Sequence, residues 1–138
     1  MSTIDPVAYL RSVAPFAEIP RELFDEAARR IDVVFHPAGA ILAKPGGERL
    51  HHLYVIRKGS VRLERDGRNL QFLEEGEVFG YTSLLKKEAT IEVVVEDDLV
   101  AYRLPESAFE LLLTDARFAG HFAARVAQRL QASIARAD

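Results

Sequence analysis

Cysteine is absent from the 138 residues, which rules out a disulfide or a thiolate zinc site and fits a cytoplasmic protein. Long apolar runs are absent too, although hydrophobic residues make up 49% of the chain. That supports one good core and excludes a transmembrane helix. The start, Met1-Ser2-Thr3-Ile4-Asp5-Pro6, lacks the basic-then-apolar pattern of a signal peptide. Basic residues are not in excess: the net charge is −3, which argues against a nucleic-acid binder held by bulk charge. There is no low-complexity segment and no convincing internal repeat. The length fits one domain, taken as residues 1–138.

The chain divides by its periodicity. Residues 1–31 read as N-terminal helices. Asp5 is placed to cap a helix over 5–14 with Pro6 at its first position, and Pro15 ends it. From Pro20 to Arg30, Leu23, Phe24, Ala27 and Ala28 make one apolar face. Residues 32–104 carry short β-branched runs broken by turn residues, the mark of an antiparallel sandwich or barrel. Strands are expected at 33–35, 40–43, 53–57, 60–64, 69–73, 91–95 and 99–104. Lys58-Gly59 is expected as a tight turn, Asp66-Gly67 as a hairpin and Glu96-Asp97-Asp98 as a solvated turn. Residues 105–138 return to helix, one to Leu113 and a second capped by Thr114 or Asp115. The second has apolar positions Phe118, Phe122, Val126, Leu130 and Ile134.

One stretch, Gly76 to Val95, has the makings of a phosphate cradle. Gly76 and Gly80 let a backbone approach a ligand closely, and Thr82 and Ser83 open a short helix. The same residues also suit an ordinary turn followed by one turn of helix, so the stretch alone does not decide.

Three segments in order do. Phe35-His36-Pro37-Ala38-Gly39-Ala40-Ile41-Leu42, then Leu53-Tyr54-Val55-Ile56-Arg57-Lys58-Gly59-Ser60-Val61-Arg62-Leu63, then Gly76-Glu77-Val78-Phe79-Gly80 with Ala89-Thr90-Ile91, resemble the cyclic-nucleotide-binding domain family. This is the sensor module of catabolite-activator-type regulators. The resemblance implies a mainly β fold: an antiparallel β-roll of jelly-roll type, with N-terminal helices and two C-terminal helices. It implies a regulatory, non-enzymatic domain that binds cAMP, cGMP or a related nucleotide and passes occupancy on through its C-terminal helices.

The resemblance also assigns a phosphate-binding cassette to Gly80, Tyr81, Thr82, Ser83, Lys87 and Thr90. The family has a glutamate for the ribose after this glycine and an arginine for the phosphate. Here those positions hold Tyr81 and Lys87, and the segment between Gly80 and Lys87 is shorter than usual. Lysine neutralises a phosphate but lacks the two-pronged fork of arginine. The cassette is therefore expected to be degenerate.

Phe79–Leu85 and Asp98–Pro105 look similar to the branch in which the domain precedes CBS and nucleotidyltransferase domains. A homodimer through the last helix is expected, with no membrane contact and no direct DNA reading, since no helix-turn-helix is seen. Two rival readings stand beside this one. In the first, Tyr81 plugs the pocket of a ligand-free dimerisation module. In the second, His36, His51 and His52 serve a cupin-like metal-dependent enzyme. The second is disfavoured because neighbouring strand residues face opposite sides and no His-x-His with a following glutamate occurs, so no metal site is assigned. No catalytic residue is assigned either, as no nucleophile–base pair is seen.

Overall fold

The computed structural model describes residues 5–137, with side chains through residue 126. Residues 1–4 of the expected N-terminal segment, Asp138, and the side chains of Leu130 and Ile134 lie outside that description. In chain order come α1 (Pro6–Arg11), a 3-10 turn (Phe16–Glu18), α2 (Arg21–Ala28), β1 (Asp32–His36), β2 (Ile41–Ala43), β3 (His52–Arg65), β4 (Arg68–Leu73), β5 (Val78–Phe79), α3 (Tyr81–Lys86), β6 (Glu92–Pro105), α4 (Glu106–Leu112) and α5 (Ala116–Ala137). The architecture is mainly antiparallel β with flanking helices, as the sequence implied.

Two 14-residue strands, β3 and β6, form the spine. They pair antiparallel from His52↔Pro105 to Glu64↔Glu92. β1 and β2 pair with β6, and β4 and β5 pair with β3, so the sheet runs β1-β6-β3-β4 and curls on itself. The expected turns at Lys58-Gly59 and at 96–98 are therefore not turns. Both lie inside long strands, where the register between β3 and β6 shifts between Ile56 and Val61.

The acidic run stays in the strand because its side chains find partners on neighbouring elements. Ser60 donates its hydroxyl to Asp97 at 2.9 Å, the Ala38 amide donates to Asp98 at 2.9 Å, and Arg62 pairs with Glu96. Local polarity favoured a solvated turn, but cross-strand partners decided the outcome. Asp66-Gly67 does make the β3–β4 hairpin, with both residues at positive φ.

The helix starts follow from their caps. The Asp5 carboxylate accepts from the Val7 amide at 3.1 Å, and Asp115 accepts from the amides of Arg117 and Phe118, so Asp115 rather than Thr114 caps α5. α1 is shorter than expected. Arg11 at its end donates to the carbonyls of Phe16 and Ile19, which folds the following segment back on the helix.

Strand alternation divides the interior in two. Tyr54, Ile56, Leu63, Phe79, Val93 and Ala101 point into the roll. Leu53, Val55, Tyr102 and Leu104 point the other way, toward a helical layer containing Leu10, Phe16, Phe24, Phe109, Phe118 and Phe122. The first two members of the α5 stripe are thus buried within the chain, with Phe118 1% and Phe122 0% exposed. No helix among the described residues is long and apolar enough to cross a membrane.

Candidate functional site

The site is built where β5 leads into α3. Phe79 pairs with Tyr54 across the sheet, and their rings stack at 4.6 Å. Gly80 then turns the chain with φ +101° and caps α3. A Cβ there would lie 2.6 Å from the His52 carbonyl oxygen, so the close approach of β3 requires glycine as much as the dihedral does. α3 ends at Lys87, itself left-handed with φ +61°, whose amide donates to the Ser83 carbonyl at 2.8 Å.

Six residues of helix present two faces. Thr82 and Ser83 turn toward the roll, where they line a cavity of about 20 Å³ with Gly80 and Thr90. Leu50, Leu63, Phe79, Ile91 and Val93 supply its apolar wall. Thr90 Oγ1 is buried and has no hydrogen-bond partner among the described residues. Such a hydroxyl retains its desolvation cost, typically about 1–3 kcal/mol, until something bonds it. The volume is that of roughly one water molecule.

Tyr81 and Leu84 make the opposite face. Tyr81 is 1% exposed and belongs to the helical layer, its ring tilted against Phe122 of α5 at 4.9 Å. Tyr81 therefore does not line the cavity and lies in the helical layer, not in the roll. The reason is geometric. The first residue of α3 projects one way and the second and third project the other, so only the latter pair reach the roll.

Lys87 also departs from its assigned place. Its ammonium pairs with Glu106 at the start of α4 and, at 3.2 Å, with Glu110 one turn later. Those two carboxylates, Glu106 first, hold its pKa above the ordinary lysine value. Glu106 in turn binds Arg49 Nη2 at 2.8 Å, and its carboxyl is held below the ordinary glutamate value, first by Lys87 and then by Arg49. The left-handed cap at Lys87 aims the side chain toward α4, not toward the cavity. Of the six assigned residues, Gly80, Thr82, Ser83 and Thr90 meet around one cavity, and Tyr81 and Lys87 do not.

The apolar wall was missed as a set, although inward alternation at 61–63 and 91–93 carried the signal. Arg49, Glu106 and Phe122 had no local signal toward this site.

The three histidines stand apart. His51 meets Glu48 at 2.7 Å, and His52 lies edge-on to Tyr54. Burial, with Arg103 adding, lowers the pKa of both His36 and His52, favouring neutral rings. Among the described residues no three of the His, Asp and Glu side chains converge as a metal site.

Residues 33–115 match the cyclic nucleotide-binding domain family. The chain belongs to that family. As a cyclic nucleotide-binding domain it is a regulatory ligand-binding type of module. No curated protein matches it by sequence. Among solved structures, PfPKA-R (141–441) with cAMP bound superposes with a TM-score of 0.81 at 16% identity, over 91% of this chain and 44% of that one. The regulatory subunit of a cAMP-independent protein kinase A from Trypanosoma brucei, in a triply substituted form bound to cAMP in its A site, gives 0.77 at 18%, over 96% and 50%. The Thermus thermophilus catabolite activator protein gives 0.70 at 28%, over 89% and 61%. At their low identity the first two establish the fold alone. The chain spans half or less of the length of either.

Proposed function

We propose that this domain is a ligand sensor whose cavity beside α3 accepts a cyclic nucleotide or a related nucleotide, and that occupancy is passed to α4 and α5. The carrying observation is the double role of α3. Its second and third residues, Thr82 and Ser83, line the cavity, while its first, Tyr81, packs on Phe122 of α5. A ligand that displaces α3 therefore displaces the floor of the last helix.

The polar lining suits the phosphate end of such a ligand. Thr82, Ser83 and the unpartnered Thr90 hydroxyl offer donors, and the apolar wall suits a base or sugar face. The cassette is degenerate in that no guanidinium lines it. At about 20 Å³ the cavity has room for little more than a water, and ligand pockets typically reach about 300 Å³ or more, so binding requires α3 and its flanks to open wider. A ligand shifts that equilibrium only by its preference for the open form.

Pairing of two copies through α5 belongs to the same proposal. Phe118 and Phe122 are already buried within the chain, so these two rings do not serve that pairing. A following CBS or nucleotidyltransferase domain is a proposed recipient of the signal.

Thr90→Val tests the site in two ways. It removes a buried, unbonded hydroxyl without changing shape, so thermal stability is expected to hold or rise by up to about 1 kcal/mol. Calorimetric titration with cAMP and cGMP is expected to show weaker binding than for the unsubstituted chain. Equal affinity in both proteins would remove Thr90 from the site. No heat with either nucleotide, or with linear and dinucleotide relatives, would remove the nucleotide reading.

A further inference from the structure

Two cations flank the cavity wall without entering it. Arg49 directly precedes Leu50, and its Nη1 donates to the Leu50 carbonyl at 3.2 Å. Lys87 lies three residues before Thr90. Leu50 and Thr90 both line the cavity. The one carboxylate of Glu106 holds both cations, Oε1 facing Arg49 at 2.8 Å and Oε2 facing Lys87. Glu106 is only 21% exposed, whereas Glu110, the other partner of Lys87, is 56% exposed. The Glu106 amide is fixed as well, donating to the His51 carbonyl at 3.0 Å. The carboxylate is thus anchored where α4 begins, with one oxygen on each cation.

We infer that Glu106 is a resident counter-ion that competes with the anionic group of an incoming ligand for Arg49 and Lys87. The inference rests on the nucleotide reading above and adds its regulation. A carboxylate and a phosphate present similar oxygen acceptors to a guanidinium and an ammonium. When a phosphate takes either cation, Glu106 loses a partner at the first residue of α4. The start of that helix is then released at the same step that fills the cavity. This makes a second route from cavity to C-terminal helices, separate from the Tyr81–Phe122 contact. It also sets selectivity: a ligand without an anionic group cannot displace the carboxylate, and it leaves α4 latched. Arg49, in the loop before β3, would then supply the guanidinium charge that the cassette itself lacks, from beside the cavity-lining Leu50.

Glu106→Gln keeps the shape and removes the competing charge. Titration with cAMP is expected to show affinity raised by about fivefold, the scale of a partly exposed ion pair. The double variant Glu106→Gln with Lys87→Ala is expected to lose most of that gain, and adenosine, which lacks the phosphate, is expected to show none. Glu110→Gln, which frees only an exposed contact of Lys87, is expected to raise affinity less. It also serves as the second arm should Glu106→Gln fold poorly. Unchanged or weaker cAMP binding in both single variants, with the unsubstituted chain binding cAMP, overturns the counter-ion role and leaves the nucleotide reading standing. Absence of cAMP binding in every protein overturns both. An equal gain for adenosine also overturns the inference, because the competition would then not concern the phosphate.

Discussion

Phe122→Ala is expected to destabilise the domain by about 3–5 kcal/mol, which at this size lowers the melting temperature by roughly 10–20 °C. Phe122 is fully buried and meets the rings of Tyr81, Phe109 and Phe118, drawn from three helices, besides that of its neighbour His121. Its centroid lies 4.9 Å from Tyr81 of α3, 5.5 Å from Phe109 of α4 and 4.9 Å from Phe118 of α5. Alanine removes the transfer free energy of the ring, leaves a cavity and cancels each aromatic pair. The substitution has a further consequence. Tyr81 loses the surface that seats α3, so α3 should loosen even where the fold survives. Phe122→Leu keeps much of the volume and is expected to cost less. Chemical denaturation of the three proteins checks the series, and a loss under about 1 kcal/mol for alanine would mean that the helical layer repacks around the site.

Gly59→Ala is expected to be comparably severe. Gly59 lies within β3 at φ +91°, and a Cβ on it would stand 2.1 Å from the Asp98 carbonyl oxygen and 2.9 Å from that of Asp97. Both obstacles are backbone of β6, so no side-chain rotation relieves them. The left-handed conformation alone costs an L-residue about 1–2 kcal/mol, and forcing β3 from β6 adds to it, for an expected total of about 3–5 kcal/mol. Gly67→Ala is the control. It has φ +76° but nothing within 4 Å of the added Cβ, so only the conformational part is expected, about 1–2 kcal/mol. Urea midpoints of the two variants separate the effects. Equal losses would mean that the close crossing at Gly59 carries no energy of its own.

Those glycines also mark how far the sequence could be read. Gly67 follows Asp66 in a local hairpin signal, and a hairpin forms there. Gly59 carries a similar local signal, Lys58-Gly59, yet lies inside a strand, because its role is set by Asp98, 39 positions away in the chain. The fold class was legible because strand alternation and helix caps are local. Gly80, Thr82, Ser83 and Thr90 were legible as a group because the family pattern covers them in one short stretch. The direction of Lys87 was not, since its left-handed cap and its partners Glu106 and Glu110 belong to tertiary structure. Tyr81 was misplaced for a related reason. Whether the first residue of α3 faces the roll or the helices depends on how that helix docks, and Phe122 decides it from 41 positions away.

The central claim is that the cavity at α3 and the helices at α4 and α5 respond together. Hydrogen exchange of the backbone amides, with and without saturating cAMP, tests it most directly. The expected result is slower exchange over residues 80–90 accompanied by a change over α4 and α5. Protection confined to 80–90, with α4 and α5 unaltered at saturation, would contradict the coupling.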